Sequence, residues 1–189
     1  MIDIGTGDGL FVYDLARANP NKFYIGVDAN PRPLEKISEK IHRRPNKGGL
    51  SNVLFLQAAI DDLPAELDGI ANEVHVHFPW GSLLAIVARA DRNGLNNLRR
   101  IMSRDGLLEI VIALDPERDE SEIKRLGIQS LDATFISSEL EPRYRDAGFE
   151  ILEAGVGNPE SWSDLKTTWA KRLRGNQSRS LFYIVAKAI

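Results

Sequence analysis

The sequence has 189 residues, 43% of them hydrophobic and 27% charged, with a formal net charge of −3 and no cysteine. That length expects a single domain, residues 1–189, with an ordinary buried core. The lack of cysteine excludes disulfides and thiolate metal sites and fits a reducing, cytoplasmic setting. No apolar run approaches a membrane span, so neither a membrane partner nor a secretory leader is expected.

The chain opens on Ile2-Asp3-Ile4-Gly5-Thr6-Gly7-Asp8-Gly9, an apolar strand running into a glycine-rich turn, with Leu10 to Ala18 following at helical spacing. This reads as the first turn of a doubly wound α/β sheet, where ligands bind at the carboxyl ends of the strands. A dinucleotide fingerprint would place its third glycine at the sixth position of the turn. Here that position is Leu10, and Asp3 and Asp8 bracket the turn. Carboxylates this close repel a pyrophosphate but suit a cofactor carrying a sulfonium and an ammonium. Asp3, Gly5, Thr6 and Gly7 are therefore candidates to hold S-adenosylmethionine (SAM). The alternative is an ordinary glycine-rich turn.

Lys22 to Val27 reads as the second strand and ends at Asp28, placed about 20 residues past the turn, as an acid that binds ribose hydroxyls is. Pro31 and Pro33 start a helix over 34–41, with Leu34, Ile37 and Ile41 on one face. Residues 45–50 then read as a mobile basic loop. Val53 to Gln57 is a third strand, whose end, Ala58 to Asp61, faces the cofactor's adenine, with Ala59 beside it. Asp61 either accepts from the adenine amino group or caps a helix over 63–70. Glu73 to Phe78 alternates as a fourth strand and ends in Pro79-Trp80-Gly81-Ser82. Ser82 is a further cofactor candidate. Trp80 either stacks on a base or covers the core from a loop. His75 and His77 share a strand face with no cluster of cysteines or acids beside them, so they read as structural rather than as metal ligands.

Residues 91–101 expect a polar surface helix, 107–114 a fifth strand and 117–126 a charged helix. Ser137 or Ser138 caps a further helix ending at Ala147-Gly148. Phe149 to Val156 and Ser180 to Ala188 are the last two strands. The fold expected is a Rossmann-like, seven-stranded, mostly parallel sheet of the class I SAM-dependent methyltransferase type, with one antiparallel edge strand.

Charge is unevenly spread. Residues 32–47 carry +4 and residues 166–187 carry +6, leaving −13 for the rest of the chain. Two basic patches on an acidic body suit a protein that grips phosphates with one face; the alternative is two solvated faces. The stretch 158–179 lies between the last two strands and holds Trp162, Trp169, Lys171 and Arg172. An insertion both aromatic and basic is the form of a nucleic-acid clamp, because aromatics stack on bases and Lys/Arg hold phosphates. Trp80 and Trp169 are placed to sandwich a flipped base.

Five stretches together resemble one family: Asp3 to Gly9 (DIGTGDG), Phe23 to Asp28 (FYIGVD), Lys47 to Val53 (KGGLSNV), Phe78 to Ser82 (FPWGS) and Trp169 to Leu173 (WAKRL). The chain is similar over essentially its whole length to the Kam-type 16S rRNA adenine-N1 methyltransferases, which confer aminoglycoside resistance. The resemblance implies SAM-dependent methylation of adenine-1408 (rRNA numbering) in helix 44 of the 30S subunit. It implies Asp28 and Asp61 as ribose and adenine contacts, Trp80 and Trp169 as the stacking pair, and Thr167 as a small hydroxyl residue beside methyl and base. It further implies Arg179 as a grip on RNA beside the target, with Arg43, Arg44 and Lys47 on the docking surface. No metal is expected, and the chain is expected to act as a monomer. Family members usually carry a strand pair ahead of the first sheet strand, whereas this sequence begins inside that strand. Other readings stay open: guanine N7 as the target, a non-catalytic RNA-binding module, or a small-molecule methyltransferase. The lack of an Asn-Pro-Pro-Tyr-type stretch after the fourth strand argues against exocyclic amino methylation.

Overall fold

The short apolar run at the start of the chain forms β1 (Ile2–Ile4), buried along its whole length and flanked by parallel strands on both sides. The structure, a computed structural model, describes residues 1–129, 131–157 and 180–189. β1 leads through the glycine turn into α1 (Leu10–Ala18), then to β2 (Tyr24–Asp28), α2 (Glu35–Ile41), β3 (Val53–Gln57) and β4 (Ala71–His77). α3 (Gly81–Arg89), α4 (Arg92–Ile101) and the long β5 (Met102–Leu114) follow. α5 (Glu120–Leu126), α6 (Ala133–Phe135), α7 (Glu141–Asp146), β6 (Phe149–Gly157) and β7 (Ser180–Ala188) complete the order. The strands form one seven-stranded sheet in the order β3-β2-β1-β4-β5-β7-β6. β2 and β3 lie on one side of β1 and β4 on the other, so strand order reverses between β1 and β4, which is where a doubly wound sheet opens a crevice.

Alternation along the strands sorts the two faces. Val74 and Val76 of β4, with Leu108, Ile110 and Ile112 of β5 and Ile184 and Ala186 of β7, pack against α3, α4 and α7 in the larger core. The Tyr144 hydroxyl of α7 donates to Val87 O of α3 at 3.0 Å. The opposite face of β1–β3 packs on α1 and α2 through Phe11, Val12, Tyr13, Ile37 and Ile41. Asn52 ties this layer together: its amide donates to the carbonyls of Ala16, Asn19 and Lys22 at 2.9, 3.2 and 2.9 Å.

Several expectations change here. The antiparallel strand is β7, and it is interior: it pairs antiparallel with β5 and with β6, which leaves β6 at the edge. No helix forms over 63–70. Two short 3-10 turns, Ile60–Asp62 and Ala65–Leu67, stand there instead, because Pro64 and Gly69 (φ +68°) interrupt helical hydrogen bonding. Asp61 therefore caps no helix. Arg100 holds this segment, pairing with Asp68 and donating to Leu63 O at 2.8 Å. Residues 91–101 make an amphipathic helix rather than a polar one, with Leu95, Leu98 and Ile101 buried and Asp91 capping Gly94 N at 2.9 Å. α3 was not expected at all. The charged helix starts at Glu120, three residues late, because Asp115 and Asp119 close a turn ahead of it: Asp115 N donates to Asp119 Oδ2 at 2.9 Å. Neither Ser137 nor Ser138 occupies a helix N-cap. They sit inside a π turn, Ile136–Leu140, and donate back to Thr134 O, while Asp132 accepts from Phe135 N at the helix start. Gly148 does end α7's turn, with φ +86°. The basic loop is built rather than loose: Pro45–Lys47 forms a 3-10 turn, and Tyr13 donates to Gly48 O at 2.9 Å.

Candidate active site

The glycine turn is shaped by its own hydrogen bonds. Gly5 N and Thr6 N both donate to Val27 O, at 2.8 and 3.0 Å, which clamps the turn to β2. Gly7 N donates to Asp28 Oδ2 at 2.8 Å, and Asn30 N to Asp28 Oδ1 at 2.8 Å. Asp28 thus braces the turn from the next strand and keeps free lone pairs on the same oxygens. Gly9 shows why the turn needs glycine: its φ is +68°, and a Cβ there would stand 2.5 Å from the Phe55 ring.

Beyond the turn lies a cleft of about 500 Å³ at the carboxyl ends of β1, β2, β3 and β4. Asp3, Gly5, Thr6, Gly7, Asp28, Ala59, Asp61 and Ser82 all line it, and so does Trp80. A volume in this range, about 300–1,000 Å³, is usual for small-molecule sites. Four carboxyl groups, of Asp3, Asp8, Asp28 and Asp61, face it, and among the described residues no lysine or arginine does. Asp3 is buried, and burial pushes its carboxyl above the ordinary aspartate range, with His77 opposing the shift. The Thr6 hydroxyl is buried beside the Asp3 carboxyl and also opposes the rise. An acidic cleft of this kind fits a cationic, polar ligand such as SAM.

Trp80 is presented rather than packed. Phe78 takes φ +52° and Gly81 φ +60°, which turns the chain sharply between β4 and α3. The Phe78 side chain anchors the turn from below, buried with Val111 and Leu181, and Phe78 N donates to Val111 O at 2.7 Å. Trp80 is left 47% exposed at the cleft, so it does not cover the core.

Other lining residues were not read from the sequence as part of the site. Phe11 and Leu83 come from the first turns of α1 and α3, and His77 from the end of β4. Helical spacing marks Phe11 as apolar-face, and only the turn geometry brings it to the cleft. His75 and His77 do have acidic company, which the strand alone did not reveal. His75 Nε2 lies 3.0 Å from Glu73 Oε1 and His77 Nε2 lies 2.6 Å from Glu109 Oε1. Burial works against a charged His75, but the Glu73 bond with Glu109 and Asp3 outweighs it and raises its pKa. Glu73 and Glu109 are lowered by the hydrogen bonds they accept.

Arg43, Arg44 and Lys47 are exposed, at the end of α2 remote from the cleft, and enter no ion pair among the described residues. Thr167, Trp169, Lys171, Arg172 and Arg179, with Trp162, lie outside the described residues.

The reversal of strand order, the braced glycine turn and the acidic cleft define a class I SAM-dependent methyltransferase fold. Comparison with known proteins narrows this. Residues 1–188 match the family model described as NpmA, 16S rRNA (adenine(1408)-N(1))-methyltransferase, and the chain belongs to that family. A 16S rRNA (adenine(1408)-N(1))-methyltransferase of Escherichia coli is 39% identical, over 97% of this chain and 84% of that protein. The crystal structure of the aminoglycoside resistance methyltransferase NpmB1 superposes with a TM-score of 0.85 at 45% identity, covering 100% of this chain and 86% of that one. A 16S rRNA (adenine(1408)-N(1))-methyltransferase mutant from Catenulisporales acidiphilia, crystallised with cosubstrate SAM, gives 0.88 at 29% identity, covering 100% and 84%.

Proposed function

We propose that this protein methylates N1 of adenine-1408 in helix 44 of 16S rRNA, on the assembled 30S subunit, using SAM. The observation that carries the reading is the pairing of an acidic cofactor cleft with an exposed tryptophan at its lip. SAM supplies an electrophilic methyl, which the N1 lone pair takes as the sulfonium sulfur leaves as a neutral thioether. The protein then needs no general base. Its task is to extrude the adenine and align N1, an orientation effect.

Within that reading Asp3 holds the cofactor ammonium, Asp28 the ribose hydroxyls and Asp61 the adenine amino group. Gly5, Thr6, Gly7, Ala59 and Ser82 complete the cradle. Trp80 stacks on the flipped base with Trp169, and Thr167 stands beside the reacting atoms. Arg43, Arg44, Lys47, Lys171, Arg172 and Arg179 contact phosphates, which position a protein without reading sequence. All these groups belong to one chain, so a monomer suffices. N1 methylation leaves a cationic base in the decoding site, which repels a polycationic aminoglycoside. The work is placed in the cytoplasm, with the ribosome; no helix of the described residues is long and apolar enough to cross a membrane.

The test is tritium transfer from labelled SAM to purified 30S subunits, with free 16S RNA in parallel and primer extension to locate the mark. A stop at adenine-1408 on 30S subunits supports the reading. Incorporation at another nucleotide keeps fold and cofactor but replaces the substrate.

A further inference from the structure

Away from the cleft, one buried side chain spends its polar atom on the basic turn that follows α2. Tyr13 sits on the core face of α1, 2% exposed, in the apolar cluster of Val12, Ala16 and Ile37. A phenylalanine would fill that place as well. The hydroxyl is used outside the cluster: it donates to Gly48 O at 2.9 Å, 35 residues along the chain. Among the described residues this is the one side-chain hydrogen bond that ties the turn to another element. The ring of Tyr13 also carries Lys40 Nζ over its face, 3.9 Å from the centroid.

The turn is shaped for this contact. Lys47 N and Gly49 N both donate to Arg44 O, at 2.8 and 3.2 Å, and Gly48 N donates to Pro45 O at 3.1 Å. Gly48 takes φ +89°, and a Cβ there would stand 2.9 Å from both the Tyr13 hydroxyl oxygen and Lys40 Cε. Only a glycine lets the backbone come this close to the tyrosine. Arg43, Arg44 and Lys47 stay exposed around the turn, so their backbone is held from beneath while their charges face solvent. A loop ordered before its ligand arrives loses less freedom on binding. Releasing the turn would therefore weaken phosphate binding without removing a single cation.

We propose that Tyr13 is a positioning residue for RNA docking, its hydroxyl holding the Arg43–Lys47 turn in place before the 30S subunit arrives. This rests on the proposed function, in which Arg43, Arg44 and Lys47 contact phosphates. The test measures the affinity of the full-length Tyr13→Phe variant for purified 30S subunits over a series of KCl concentrations. Binding should weaken about three- to tenfold, the equivalent of one intramolecular hydrogen bond. The log–log salt slope should stay that of the parent, because every phosphate contact can still form. SAM affinity and kcat at saturating 30S should not change, so the loss falls on KM. Gly48→Ala, which crowds the same contact from the side of the turn, should share this signature. Should Tyr13→Phe fail to fold, Gly48→Ala decides alone. Undiminished 30S affinity in Tyr13→Phe, with or without a lower melting temperature, overturns the proposal and leaves the hydroxyl a support of the fold. A flattened salt slope overturns it too, since a cation would then have been lost rather than loosened. Arg43→Ala with Lys47→Ala is measured beside it. If that double variant binds 30S as the parent does, the RNA reading of the turn fails and takes the proposal with it. If the double variant weakens binding and Tyr13→Phe does not, the positioning role alone fails.

Discussion

Burial raises the Asp3 carboxyl above the ordinary aspartate range, and this sets stability against ligand binding at one residue. A raised folded-state value stabilises the fold below the unfolded value, and that contribution is lost as pH climbs through the folded value. Wherever it is ionised, the carboxyl is therefore a burden, and on the proposed reading a SAM ammonium would relieve it. Asp3→Asn should melt no lower than the parent at pH 7.5. It should also bind SAM about 10- to 100-fold more weakly, the loss expected for a hydrogen bond to a charged group. A drop in both quantities would instead make Asp3 a support of the fold. Trp80 is a different kind of residue, exposed and resting on a strained turn. Trp80→Ala should slow methyl transfer about 10- to 100-fold, the scale of one lost stacking partner, and Trp80→Phe should restore much of it. SAM affinity measured by equilibrium dialysis should stay within about threefold in both variants. A parallel collapse of SAM binding would remove the stacking role. The place of Asp28 at the cleft was legible because its distance from the glycine turn is fixed by strand and helix lengths. That it accepts from Gly7 N was not, since this depends on the backbone path of the turn. Glu109 beside His77 was hidden for a related reason: cross-strand neighbours are set by register, not by sequence distance.

Among the elements, strands and the first helices could be read from period alone, because apolar spacing separates Val74 and Val76 from His75 and His77, and Ile37 and Ile41 from the lysines. What could not be read were neighbour relations. The run Phe182, Ile184, Ala186 alternates equally well at an edge or between two strands, so the interior place of β7 leaves no local mark. Leu63 and Leu67 are four apart and both buried, which imitates a helix, yet Pro64 decides otherwise. α3 escaped because every position from Leu83 to Ala88 is apolar, which blurs the helical period. Asn52 shows how much one side chain can hold between elements. Its amide serves three carbonyls at the ends of α1 and β2. Asn52→Ala should lower unfolding stability by about 1–3 kcal/mol, the range for stripping partners from part-buried polar groups. Urea titration measures it, and an effect below about 0.5 kcal/mol would mean water replaces the amide without loss.

At the scale of the molecule, an acidic body with basic margins makes RNA affinity a matter of where the charge lies rather than of its sum. α2 runs away from the cleft, so on the proposed reading the Arg43–Lys47 turn would grip RNA far from the reacting base. Arg43→Ala with Lys47→Ala should weaken 30S binding, flatten its log–log salt dependence by about two contacts, and leave kcat at saturating 30S unchanged. Surface changes of this kind alter stability by less than about 0.5 kcal/mol. An unaltered salt slope would exclude the turn from the contact surface.

Because β7 runs antiparallel between β5 and β6, residues 158–179 leave and re-enter the sheet through adjacent strands, with Gly157 opposite Leu181. Their two ends are held a strand's width apart whatever lies between. Doubling the length of such a segment adds only about 0.6 kcal/mol of closure entropy. Gly157 and Ser180 are thus fixed points of attachment on the sheet. A relative's segment grafted between Gly157 and Ser180 should inherit the donor's choice of nucleotide while melting and SAM binding stay those of the recipient. Were the graft to behave so, a new target could be acquired by replacing one continuous piece of gene.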